Sequence, residues 1–370
     1  MIRVSRYQLV LMLVWTVLAT GILTMPATMA TFSVRDTWLS SWGILLGGTL
    51  CAGLAWCHVR LFPDRSLTAA MELAFGRFAG KLAAVWVVIW LVITLATICR
   101  EFGVFVTTIA LPNTPEYLVV ALALACSAYL VYLGLEVVGR VNEFLVPIAA
   151  IVFPLLFVLA LRWFDWTPLQ PVLADGWLPV WRAGVVPAFA YGLEFSLALQ
   201  WVPYLNNPRA LPVDILLSAG ISALVLMGLV LITDGVIGAP VAYLNYPVLE
   251  VVRAIRVGKF VERLDTWYAM GVVSTLVLKQ AAFQTGLAEA FRTLCGTRDP
   301  RWSIWPTALL VWSLAYFLFR NSADVSRFIL HTVPGYFLFT AVLLPLLVYA
   351  AAFFRGVRPA SRAGAGEARR

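Results

Sequence analysis

The chain has 370 residues, of which 62% are apolar or aromatic and 12% charged, with a mean hydropathy of +0.88. Soluble domains carry about 45–50% apolar residues and roughly twice this charge density, and no soluble core has room for so much apolar surface. The chain is therefore read as a polytopic, all-α integral membrane protein, and its net charge of +8 as loop and terminal Lys and Arg, with no basic aromatic-laced face for nucleic acid.

Apolar stretches of membrane-spanning length predict ten transmembrane helices at about 8–31, 37–59, 82–111, 116–134, 143–162, 181–205, 212–235, 265–290, 303–320 and 332–354. The first run is long for a signal h-region and is read as a span. Within it, Ala19-Thr20-Gly21-Ile22-Leu23 precedes Pro26, a pattern that permits either a broken helix or an ordinary kink. A break would leave N–H groups and carbonyls near the bilayer midplane for a ligand's carboxylate and ammonium.

In the third stretch, Arg100 and Glu101 are adjacent and point to different helix faces, marking the end of its apolar run. The sixth contains Pro187-Ala188-Phe189-Ala190-Tyr191-Gly192-Leu193-Glu194. A carboxylate at that depth costs roughly 2.5–3.5 kcal/mol on insertion scales, so Glu194 should face the bundle interior, in a functional or a structural role. Interrupted helices 1 and 6 are corresponding members of two five-helix halves, the pattern that marks a midplane site in inverted-repeat transporters.

Between the seventh and eighth spans, apolar residues at 248, 249, 252 and 255 beside Glu250 and Arg253 predict a short interfacial helix. The eighth span carries Lys279, whose cost of roughly +3 kcal/mol cancels the gain from its apolar neighbours. Thr275, Lys279, Ala282 and Gly286 share one face, suited to close helix contact. The ammonium then stands in the place of a coupling cation or pairs with Glu194; a purely structural ion pair is the other reading. Asp234 and Glu289 lie near span ends, within reach of the interface.

Sixteen of the 27 Lys and Arg fall in segments that share a side with the N-terminus and nine on the other, which puts both termini in the cytoplasm. Residues 1–355 form a single transmembrane domain, with halves at about 8–162 and 181–354, and 356–370 a disordered cytoplasmic tail. The five cysteines form no CxxC pair, there are two histidines, and no nucleophile with its base or phosphate loop is evident. The expectation is a non-enzyme without cofactor or metal.

The Thr20-Gly21-Ile22-Leu23-x-x-Pro26 segment and the ten spans resemble the amino acid–polyamine–organocation superfamily. Further motifs narrow the likeness: Leu61-Phe62-Pro63-Asp64-Arg65-Ser66-Leu67, Arg100-Glu101-Phe102, Leu111-Pro112-Asn113-Thr114-Pro115, Gly134-Leu135-Glu136-Val137-Val138-Gly139-Arg140, Tyr246-Pro247-Val248-Leu249-Glu250 and Phe260-Val261-Glu262-Arg263-Leu264-Asp265. In order and spacing these resemble the spore germination permease family, the B subunits of germinant receptors. The resemblance implies two inverted five-helix repeats with helices 1 and 6 interrupted, in the inner membrane of the spore, beside an A subunit and a C-subunit lipoprotein. It implies a small-molecule ligand, often an amino acid, at Thr20, Gly21, Ile22, Ala190, Tyr191, Gly192 and Glu194, with Lys279 and Thr275 as cation site or charge switch. A proton-coupled amino acid permease is the alternative. The glycine-rich break of amino acid permeases is reduced here to one glycine, and Lys279 occupies the helix that bears sodium in sodium-coupled relatives, so sodium coupling is not expected.

Overall fold

The computed structural model describes residues 3–32, 35–255 and 264–356. The Phe260–Arg263 part of the last motif and the expected tail from 357 onward lie outside the described residues. The described chain is all-helical; in place of sheet there is one isolated bridge between Val4 and Leu205.

Helix α1 (Arg6–Ala30) starts at a capping box: Ser5 Oγ accepts from the Gln8 N–H at 3.2 Å, and Gln8 Oε1 accepts from the Ser5 N–H at 2.9 Å. It is followed by α2 (Thr37–Ser40), α3 (Gly43–Leu61), α4 (Leu67–Phe75), α5 (Arg77–Ile109), α6 (Glu116–Leu133), α7 (Leu135–Ala160) and α8 (Trp177–Val186). Beyond it come α9 (Ala198–Trp201), α10 (Leu211–Ile237), α11 (Pro247–Ala254), α12 (Leu264–Cys295), α13 (Arg301–Leu318), α14 (Ser322–Arg327), α15 (Val333–Phe337) and α16 (Leu344–Phe354). Among the described residues, eight segments are long and apolar enough to cross a membrane; α12 and α13 are not among them. Helix α12 falls short through its polar residues, Lys279, Gln280 and Gln284 among them, all buried against neighbours.

Helix α1 is enclosed by α7, α10 and α12. The outer faces of α7 and α13 expose Phe144, Ile151, Leu155, Leu309 and Phe317, a surface suited to lipid and not to water.

Two expectations need correction. Helix α1 runs without a break from Arg6 to Ala30, with Pro26 inside it. Thr16, Thr24 and Thr28 return their hydroxyls to carbonyls one turn back, and packing on all sides holds the segment in helix despite its glycine and proline. The second concerns α11, which is helical as expected but packs its apolar face on the protein and not on lipid. Its apolar face, Val248, Leu249, Val252 and the following Ile255, is buried inside the bundle.

Glycine sets the spacing between α3 and the sixth span. A Cβ on Gly47 would lie 2.2 Å from the Ala188 carbonyl oxygen and 2.7 Å from the backbone of Gly192. Both are main-chain atoms that cannot rotate away. Gly47→Ala should therefore lower stability by about 1–3 kcal/mol, read as a reduced unfolding midpoint of the chain in lipid nanodiscs. An unchanged midpoint would contradict this close approach.

Candidate functional site

The sixth span is interrupted, as its Pro187, Gly192 and Glu194 suggest. After α8 the backbone widens into a π turn over Pro187–Tyr191, closed by the Gly192 N–H donating to the Pro187 carbonyl, then tightens into 3-10 geometry over Gly192–Leu197. Proline removes one donor from the ladder, and π turns gather at functional positions. The result swings Glu194 into the centre of the bundle, where its side chain is 6% exposed.

There it meets Lys279 of α12. The ammonium donates to Glu194 Oε1 at 2.7 Å, to Glu194 Oε2 at 2.8 Å and to Thr20 Oγ1 at 2.6 Å. A lysine has three N–H donors, and here each has an acceptor. The network thus joins α1, the broken sixth span and α12, and the pairing that the sequence left open is present.

A cavity of about 30 Å³ adjoins this network, bounded by Thr20, Thr94, Thr97, Glu101, Ala190 and Tyr191, with Phe328 and Ile329 closing one side. That volume accepts about two or three water molecules. A second cavity of about 40 Å³ lies beyond it, toward the end of the bundle formed by Asn245, Tyr246 and Ser322, and Glu101 forms part of both walls. Between them Thr24 Oγ1 and the Tyr191 hydroxyl share a hydrogen bond of 2.7 Å.

The other expected site residues distribute unevenly. Ala190 and Tyr191 line the first cavity with Thr20 and Glu194. Gly21 does not line it: a Cβ there would press on Leu226 of α10, at 2.9 Å. Ile22 is buried away from both cavities. Because α1 is continuous, the N–H groups of Gly21 and Ile22 are committed to its own ladder and are not offered to a carboxylate. Gly192 faces α3, where its approach to Gly47 is its evident purpose. Thr275 bonds the Val272 carbonyl at 2.8 Å and is outside the cavity wall.

Thr94, Thr97 and Glu101 are the residues that sequence reasoning missed. They stand at i, i+3 and i+7 on α5, one helical face, and that spacing was the available signal. The neighbouring Arg100 does not end the helix, which continues to Ile109. It turns the other way, pairing with Glu116 and donating to the Arg320 carbonyl at 3.0 Å. Asp234 and Glu289 are also buried, each with protein partners: Asp234 accepts from Thr37, and Glu289 binds Tyr204 and Arg292.

The family model described as spore germination protein matches residues 3–295. Spore germination protein KB of Bacillus subtilis (strain 168) is 24% identical over 365 residues, spanning 96% of this chain and 96% of its own length. Spore germination protein B2 of the same organism is 25% identical over 358 residues, 94% of each chain. Among solved structures, MhsT in complex with L-phenylalanine superposes with a TM-score of 0.66 at 16% identity, covering 96% of this chain and 90% of its own. Mhp1, a nucleobase-cation-symport-1 family transporter in a closed conformation with bromovinylhydantoin bound, gives 0.70 at 12% identity, covering 95% and 79%. At such identities the likeness establishes the fold, that of these transporters.

Proposed function

The chain belongs to the spore germination protein family, as an all-helical integral membrane protein with a transporter fold, and on that premise we propose that it is the B subunit of a germinant receptor. In this reading it binds a small germinant, an amino acid, near the membrane midplane and triggers germination. The bundle makes ten passes as two inverted five-helix repeats, about 8–162 and 181–354, within one domain over 1–355. It sits in the inner membrane of the spore with both termini cytoplasmic, beside an A subunit and a C-subunit lipoprotein.

One observation carries the reading. A buried ammonium and carboxylate, Lys279 and Glu194, close on each other at the broken helix beside a small polar cavity. Such a pair has two packings available, closed on itself or opened onto a zwitterion. A ligand shifts that balance only by binding one packing more tightly, and the A subunit would read the difference. The rival reading, a proton-coupled amino acid permease, is favoured by the likeness to two transporters.

The test is deletion of the gene in its sporulating host, with purified spores exposed to single amino acids and sugars. Loss of response to one germinant with others intact is the expected result. Normal germination with impaired amino acid uptake in growing cells would replace the receptor with the permease.

A further inference from the structure

We infer that Glu101 is the recognition point for the ligand's ammonium group, an assignment that rests on the ligand-binding reading above and gives it a chemical class: a primary amine.

Around the first cavity stand two carboxylates, Glu101 and Glu194, and one ammonium, Lys279. Both oxygens of Glu194 are already engaged by Lys279. Glu194 is therefore not the free acceptor that a ligand's amine would meet. Glu101 is. Its residue is 8% exposed, and its Oε1 is buried with no hydrogen-bond partner among the described residues. The nearby arginine contributes nothing, because Arg100 is turned to Glu116 and the Arg320 carbonyl. A buried carboxylate oxygen without a donor is costly, and a cation placed against it removes that cost.

The surrounding wall has the matching polarity. Thr94 and Thr97 spend their hydroxyl protons on the Trp90 and Ile93 carbonyls, at 2.8 and 2.9 Å. Both hydroxyls consequently offer only lone pairs to the cavity. One face of α5 thus presents three oxygen acceptors in a row, ending in the Glu101 carboxyl group, a surface that selects N–H donors. Glu101 also borders the second cavity, so an amine arriving from the Asn245 and Ser322 end meets this carboxylate before it reaches the Lys279–Glu194 pair. With the amine held there, the ligand's own carboxylate is directed at Lys279, where it competes with Glu194.

The measurement is thermal stabilisation of the full chain in lipid nanodiscs by a panel of L-amino acids, each matched with its 2-hydroxy acid, together with D-glucose and inosine. The expected result is stabilisation by at least one amino acid and not by its hydroxy acid. Glu101→Gln should weaken that amino acid about ten- to hundredfold, with Glu101→Asp intermediate. Without ligand, Glu101→Gln should unfold at or above the wild-type temperature, because its Oε1 has no partner to lose. Equal affinity in Glu101→Gln, or equal binding of the hydroxy acid by the wild type, would overturn the assignment. Stabilisation by glucose or inosine alone would overturn it while leaving a small-molecule receptor standing. No stabilisation by any probe would overturn the ligand-binding reading and this assignment with it.

Discussion

Replacing Lys279 with methionine is expected to cost the folded chain about 3–5 kcal/mol, the usual penalty for removing one member of a buried pair. Lysine and methionine are similar in length, so the loss is of charge and not of packing. Glu194 would keep its buried position with both oxygens stripped of their donor, and Glu101 faces the same space. Membrane insertion should respond in the opposite direction, since α12 sheds a residue costing roughly 3 kcal/mol at the bilayer centre. Insertion and packing are separable: the amount in the membrane should hold or rise while the unfolding midpoint falls. Adding Glu194→Gln removes the stranded charge and should restore most of the midpoint. The double variant is then abundant and folded but gives no germinant response in spores. Equal instability of the single and double variants would show that the cost arises elsewhere.

Arg100→Met is expected to be the next most damaging change, at about 3 kcal/mol after allowance for the partial exposure of its partner. The Arg100 side chain is 8% exposed and that of Glu116 24%. Its guanidinium joins three elements: α5, which carries it, the start of α6 through Glu116, and the connector before α14 through the Arg320 carbonyl. It also lies over the Tyr316 ring, 4.9 Å from the centroid. The connector leads to α14, whose cap is Asn321 accepting from the Asp324 N–H at 2.9 Å. From there the chain runs to Phe328 and Ile329 over the first cavity. Amide hydrogen exchange over 320–329 should therefore accelerate in the variant, while 187–197 is unaffected. Uniform acceleration of both segments would indicate general unfolding instead.

Eight of the ten predicted spans were legible because a bilayer enforces length and apolarity on each of them. The interruption of the sixth was legible because Pro187, Gly192 and Glu194 each disfavour a buried regular helix and fall together. The first helix misled for the complementary reason. Thr20, Gly21 and Pro26 permit a break, but threonine hydroxyls and three neighbouring helices decide whether one occurs, and neither is visible in a local window. Glu194 and Lys279 stood out singly, yet their contact spans 85 positions and no spacing rule reaches that far. Glu101 was overlooked because its neighbour Arg100 made the two resemble a polar helix end. Only the Thr94, Thr97 and Glu101 spacing distinguished it.

The π turn at Pro187–Tyr191 has a counterpart over Phe328–Thr332, and both contribute residues to the wall of the first cavity. A π turn is an α-helix holding one residue more than its ladder requires. Loss of one residue within 328–332 would let the ladder close as ordinary helix and leave everything after Val333 in its present register. Length change of one residue is ruinous in most membrane spans, since it rotates every later side chain by about 100°. Here the walls that shape the cavity are also places where the gain or loss of one residue can recut it without turning the rest of the span.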